Sequence, residues 1–230
     1  GGPDTAPGAV ATVEASRFPG NQSLDGGGLG NAGTLALTDT SFAHNVGNAL
    51  GGALYAASGT ATVTRGLFIF NWAAGGGAIH HLNGALTLNQ TMLVGNGYDD
   101  TSELTVAVSG GAIRHDGGTA VLTDVTVAGN RAENGGGLAN LGGTATLTNV
   151  TFSNNRAALY AGAIDMTGGT VSITNATITD NSGGGISRRA GTLTAKNTAL
   201  ANSGSANCNP ALTSATFSLS SDSTCSLGAG

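Results

Sequence analysis

Residues 135–155 read GGGLANLGGTATLTNVTFSNN. The stretch holds a glycine run ending in an aliphatic residue, a second glycine turn, an alternating run of threonine and apolar residues, and a closing asparagine. The same order recurs from one end of the chain to the other. Its aliphatic anchor is in turn Leu29, Leu54, Ile79, Ile113, Leu138, Ile164 and Ile186, and its closing asparagine is Asn45, Asn71, Asn96, Asn130, Asn155, Asn181 and Asn202. Anchor and asparagine stand 16 or 17 residues apart in every copy, while successive anchors are separated by 25, 25, 34, 25, 26 and 22 residues. Asn21 closes an earlier partial copy, with Phe18 where later copies carry Phe42, Phe68 and Phe152.

Inside each copy the period is two. Counting back from the asparagine, the apolar positions are Leu35, Leu37 and Phe42, then Ala61, Val63 and Phe68, and so on to Val171, Ile173 and Ile178, with threonine or small residues between them. Short alternating runs bounded by glycine and asparagine predict strands with one buried face. Forty glycines in 230 residues suit tight corners and would weaken helices. A unit of this size cannot bury its inner face alone, and stacking copies about 4.8 Å apart solves that problem. Equivalent residues then form ladders, phenylalanine over phenylalanine and asparagine over asparagine, and a buried asparagine ladder can satisfy itself amide to amide. The expected fold is all-β, a right-handed parallel β-helix of about eight coils.

The motif GGGL…TLTNVTFSNN resembles the repeats of bacterial right-handed parallel β-helix proteins, above all the polymorphic outer-membrane-protein type found in large secreted and surface proteins. The resemblance spans residues 10–202 and implies an extracellular, secreted or cell-surface setting. It implies no single activity, since such proteins include adhesins, surface proteins and carbohydrate-active enzymes.

Composition bounds the function. Charged residues make up 9% of the chain, the net charge is −5, and Lys196 is the single lysine, so no basic patch exists for a nucleic acid. No apolar run has the length of a membrane span. Cys208 and Cys225 are the only cysteines, both beyond the last regular repeat, and are expected to form a disulfide that staples this end.

Three segments are expected: an irregular lead at 1–9, the repeats at 10–203 with an insertion at 97–109, and a C-terminal cap at 204–230. The strand pattern starts abruptly at Val10. Either residues 1–9 fold over the open end, or further coils or another subunit cover it.

Chemistry is sparse. In register, His81 falls on His115, and Tyr55, His80, Arg114 and Asp165 share the neighbouring column. Parallel neighbours point the same way, so the reading here is a solvated stack, not a metal site with three converging ligands. A glycosidase or polysaccharide lyase would need carboxylates converging in one groove, whereas Asp39, Asp124 and Asp180 fall on separate coils. Threonine columns on the alternating strand, such as Thr34, Thr60, Thr119, Thr144 and Thr170, give ice binding as a further alternative.

The favoured reading is a structural or adhesive module that binds a glycan or a protein partner without catalysis. Its binding surface is placed at the corner after the closing asparagine. There Phe70, Trp72, Tyr98, Arg131 and Tyr160 supply aromatic and guanidinium anchors, and Asp99, Asp100 and Glu103 supply acceptors for sugar hydroxyls. No cofactor is expected apart from calcium at the 97–109 insertion.

Overall fold

The computed structural model describes residues 2–98, 107–204, 206–210, 212–216 and 218–225. All regular structure among them is β-strand, arranged as a parallel solenoid of about eight coils. In the coil quoted above, the strands are Leu138–Asn140, Thr144–Thr148, Thr151–Ser153 and Arg156–Tyr160. The first three pair in parallel with their equivalents on the coils before and after, and Arg156–Tyr160 with the coil before, which yields an anchor sheet, a threonine sheet and a phenylalanine sheet of nine strands each, and a fourth sheet of six that ends there. No helix among the described residues is long and apolar enough to cross a membrane.

The alternation sets what is inside. Leu35, Leu37, Val63, Leu86, Leu88, Leu122, Leu147 and Ile173 of the threonine sheet are all at most 1% exposed. Their outward neighbours stack in register, as in the column Thr34, Thr60, Ala85, Thr119, Thr144, Thr170 and Thr192. Phe18, Phe42 and Phe68 stack ring on ring, 4.6 and 4.9 Å apart and within 4° of parallel. Fully burying one such side chain contributes about 1.5–3 kcal/mol, so the repeat multiplies a modest gain along the axis.

Two corners hold the coils together. At the first, Gly135 has φ +59°, and a side chain on Gly137 would lie 2.7 Å from both the Ala163 carbonyl and the Phe152 ring. Glycine favours that turn, which Ala161 also makes at φ +44° on the next coil, and the place of Gly137 is taken on other coils by small alanines, Ala53, Ala78, Ala112 and Ala163. At the second lies the asparagine ladder. The Nδ2 of Asn45 donates to Oδ1 of Asn71 at 2.9 Å and to the Phe18 carbonyl at 2.7 Å, and its backbone N–H donates to the same Oδ1 at 3.0 Å. The pattern repeats through Asn71, Asn96, Asn130 and Asn155 to Asn181, all 0% exposed. Each amide thus gives two hydrogen bonds and accepts two, and no buried polar group is orphaned.

Three expectations change at the ends and at the insertion. Residues 1–9, read as irregular, include the strand Asp4–Thr5, which pairs with Gly30 and Asn31 and so extends the anchor sheet. Asn202, read as the last closing asparagine, is exposed at the left-handed corner, and Ser203 takes the buried ladder position one residue later. The 22-residue interval before it hides that one-residue shift. Finally, Ala107–Ser109, read as part of the insertion, is a strand of the fourth sheet paired with Ala132 and Asn134.

Beyond 204 the chain continues the stack. Cys208–Asn209, Ser214–Thr216 and Leu219–Ser220 add a last strand to the anchor, threonine and phenylalanine sheets. Cys208 and Cys225 are disulfide-bonded and buried.

Candidate functional site

Two regions carry most of the chemistry. The first is the fourth sheet with the corner that leads into it. Trp72 and Arg131 each follow a ladder asparagine, and their N–H groups donate to Asn45 and Asn96 of the preceding coil, so both start a fourth-sheet strand. Gly97 takes the same place on the coil between them, donating to the Asn71 carbonyl. Tyr98 then leaves the coil, with the Arg131 guanidinium 5.6 Å from its ring centroid. Phe70 precedes the ladder with φ +52°, is 42% exposed, and leans on His44 with ring centroids 5.4 Å apart. The Trp72 indole N–H is buried with no acceptor among the described residues.

Phe70, Trp72, Tyr98 and Arg131 are therefore gathered on neighbouring coils, as the sequence suggested. Tyr160 is not with them. It ends the strand Arg156–Tyr160 at the other side of the fourth sheet, and the Arg189 guanidinium lies 4.4 Å over its ring. Asp99, Asp100 and Glu103, with the calcium expectation attached to them, fall outside the described residues.

The second region is the outer face of the anchor sheet, which the sequence reading took for a solvated stack. That expectation is overturned: His80 is 1% exposed, His81 and His115 are 0% exposed, and Asp165 is 2% exposed. His81 and His115 point inward with Ile79 and Ile113, whereas His80 and Asp165 are covered because the fourth sheet folds up beside the anchor sheet and walls in its outer face. The central column of the anchor sheet, Asp4, Gly30, Tyr55, His80, Arg114, Ala139, Asp165 and Ser187, becomes the floor of a lane along the solenoid. One wall is the column Asp25, Leu50, Gly75, Ser109, Asn134 and Tyr160 that ends the fourth sheet. The other wall follows the anchor strands and includes Ala32, Ala57, Leu82, Asp116 and Arg189.

Side chains converge across this lane although they leave parallel strands. Asp116 accepts from His80 Nε2 at 3.0 Å and from Arg114 Nε at 2.7 Å, and Arg114 Nη1 donates to Ser109 Oγ at 3.2 Å. Burial alone would raise the Asp116 carboxyl, but the hydrogen bonds from His80 and Arg114 bring it down to about 2. Two coils further on, Arg189 clasps Asp165 through Nε, at 3.1 Å, and through Nη2. Both carboxylates are thus engaged by the chain's own guanidinium groups.

His81 and His115 belong to the interior side of the same strands. Their Nδ1 atoms are 2.8 Å apart and their rings stack at 4.8 Å, so one Nδ1 carries the proton that the other accepts. Neither Nε2 makes a well-formed hydrogen bond. Burial, with the neighbouring His115 next, pushes His81 down to about 4, and burial likewise lowers His115. No group of three or more metal-ligating side chains occurs among the described residues. Sequence reasoning found this column but missed its burial, since the wall comes from a sheet whose facing direction no repeat motif encodes.

A cavity of about 720 Å³ lies elsewhere, on the outer face of the phenylalanine sheet over Pro19, Ala43, Leu67 and Ile69. Its rim carries the exposed Arg65–Asp39 pair at 2.6 Å. Apolar floor and paired rim give it no group poised for chemistry. No protein-family model matches the chain, and no curated protein or solved structure is detectably similar to it.

Proposed function

We propose that this chain is a recognition module of a secreted or surface-displayed protein, built from repeats of the polymorphic outer-membrane-protein type, that binds a glycan or a protein partner without catalysis. The observation that carries the reading is the grouping of Phe70, Trp72, Tyr98 and Arg131 where the insertion leaves the coil. Aromatic rings with a neighbouring guanidinium are typical anchors of recognition surfaces, and excursions from solenoids gather on their binding faces. The disulfide between Cys208 and Cys225 is consistent with an oxidising, extracellular setting. The engagement of Asp116 by Arg114 and His80 favours binding over hydrolysis, because that lowered carboxyl is not available as a general acid.

Replacing Trp72 and Tyr98 together by alanine is expected to abolish binding on a glycan and surface-protein array while circular dichroism stays that of the parent. Unchanged binding by the folded double variant would place the surface elsewhere. Release of shortened sugars from any arrayed polysaccharide would turn the reading toward an enzyme.

A further inference from the structure

The lane on the anchor sheet contains three places where a carboxylate meets an aromatic ring or an imidazole. Two of them are closed by an arginine of the chain. Asp116 and His80 receive Arg114, whose side chain lies back over Gly75, where an added Cβ would be 3.2 Å from its Cδ and Nη1. Asp165 and Tyr160 receive Arg189, hydrogen-bonded to the carboxylate and laid over the ring at 4.4 Å.

The third place is at the start of the lane and has no arginine. Asp25 stands in the wall column that holds Tyr160 further along, and Tyr55 stands in the floor column that holds Asp165. The same two side-chain types recur with their positions exchanged. Between Asp4 and Tyr55 the floor residue is Gly30, and the Asp4 carboxylate reaches over it: a Cβ at Gly30 would lie 2.1 Å from Asp4 Oδ1. The result is a cavity of about 350 Å³ bounded by Asp4, Asp25, Gly30, Tyr55 and the alanine wall of Ala32 and Ala57.

Its electrostatics are incomplete. Asp25 Oδ1 is buried with no hydrogen-bond partner among the described residues, and the exposed Asp4 carboxylate lines the same cavity. Burial, followed by the negative charge of Asp25, raises the Tyr55 phenol, so the ring stays neutral beside the acid. A buried carboxylate oxygen without a partner is costly, and a planar cation that hydrogen-bonds to it and stacks on the adjacent ring removes that cost.

We propose that this cavity receives an arginine side chain presented by another protein, its guanidinium hydrogen-bonded to Asp25 and Asp4 and laid against the Tyr55 ring, as Arg189 is held by Asp165 and Tyr160 within the chain. An ammonium would satisfy the charge but not the stacking, and a neutral sugar would satisfy neither.

Titration of the folded protein with arginine amide, followed by NMR of the tyrosine rings, tests the proposal. The chain has three tyrosines, so the Tyr55 signals can be assigned by substitution. Arginine amide is expected to shift the Tyr55 ring resonances with saturation. Citrulline amide, its isostere with an uncharged side chain, is expected to leave them in place, and lysine amide to bind more weakly. Asp25→Asn, read by the same signals, and, as an independent variant read by titration calorimetry, Tyr55→Leu are each expected to weaken arginine amide about tenfold, equivalent to ~1.4 kcal/mol, while the surface variant Asp124→Asn binds like the parent. Absence of any Tyr55 shift at tens of millimolar, equal binding of citrulline amide, or parental affinity in folded Asp25→Asn would overturn the site. Equal binding of lysine amide would overturn its assignment to a guanidinium.

Discussion

Two buried polar columns run along this solenoid, one at each side of the core, and they behave differently. The asparagine column from Asn45 to Asn181 repeats one residue type and pairs every side-chain donor and acceptor, amide to amide along the column and amide to backbone carbonyl beside it. The column at the end of the anchor strands reads Asn31, Ala56, His81, His115, Asn140, Met166 and Arg188, and it makes a different local bargain on every coil. An amide has a donor and an acceptor at fixed angles and no accessible charge change, so it can be stacked without limit. An imidazole carries one proton for two nitrogens, so a stacked pair closes one contact and forbids a second proton. Repetition marks the part of the molecule that only has to hold; irregularity marks the part that responds to its surroundings.

The largest test of this contrast is a break in the middle of the regular column. Asn130→Ala removes the acceptor of the Asn96 N–H and side-chain amide and the donors to Leu93 and Asn155. Leaving two or more buried groups unpaired is expected to cost about 3–5 kcal/mol, read as a lower denaturant midpoint. A loss under ~1 kcal/mol would mean the ladder is not what holds this corner.

The irregular column is expected to show itself through pH. Folded His81 sits near 4 instead of its ordinary 6.5, for burial and for the His115 charge, so the unfolded chain binds more protons between those values. Stability is therefore full above about pH 6.5, falls as pH drops toward 4, and loses about 3 kcal/mol over that window at ~1.4 kcal/mol per pH unit. His81→Asn combined with His115→Asn is expected to flatten this slope, since an amide pair takes up no proton. A slope that survives in the folded double variant would assign it to other groups.

The smallest effect is expected at the end where both columns have run out. Past Asn181 the ladder position passes to Ser203, and the Cys208–Cys225 bond closes the last coil. Reduction frees a loop of 17 residues and so costs at most about 3 kcal/mol in the chain-entropy model. Because each coil contacts only its neighbours, hydrogen exchange should quicken beyond about residue 199 and stay unchanged around the asparagine column. Faster exchange at Asn96 and Asn130 as well would show that the end coil guards the whole stack.

The same contrast explains what could be read from the sequence. Strand positions, inward residues, phenylalanine stacking and the asparagine ladder up to Asn181 follow from period and register alone. The lane does not, because register tells which residues share a column and not what stands opposite. His80 and Asp165 look like solvent-facing strand residues until the fourth sheet is seen beside them. Likewise Asn202 has the right residue type at almost the right spacing, and only the pairing of the last coil reveals that Ser203 took its place. Of the proposed recognition cluster, Phe70, Trp72 and Arg131 were legible from their distance to an asparagine. Tyr160 was misplaced because it ends its strand, in the column of Gly75 and Asn134, far from the corner where Trp72 and Arg131 begin theirs.

The point where Tyr98 leaves the fourth sheet has one more consequence. The Ala107 N–H donates to the Gly97 carbonyl at 2.9 Å, so the chain returns to the place it left. Removing the residues between restores the 25-residue spacing of the neighbouring copies. The coil is therefore closed without them, and length at this position is decoupled from register. Closing a longer excursion adds only about 0.6 kcal/mol for each doubling of its length. In evolutionary terms the site is a port: new sequence can be tried there while every other coil keeps its partners, and in engineering terms it is where a foreign peptide would be displayed on a rigid rod.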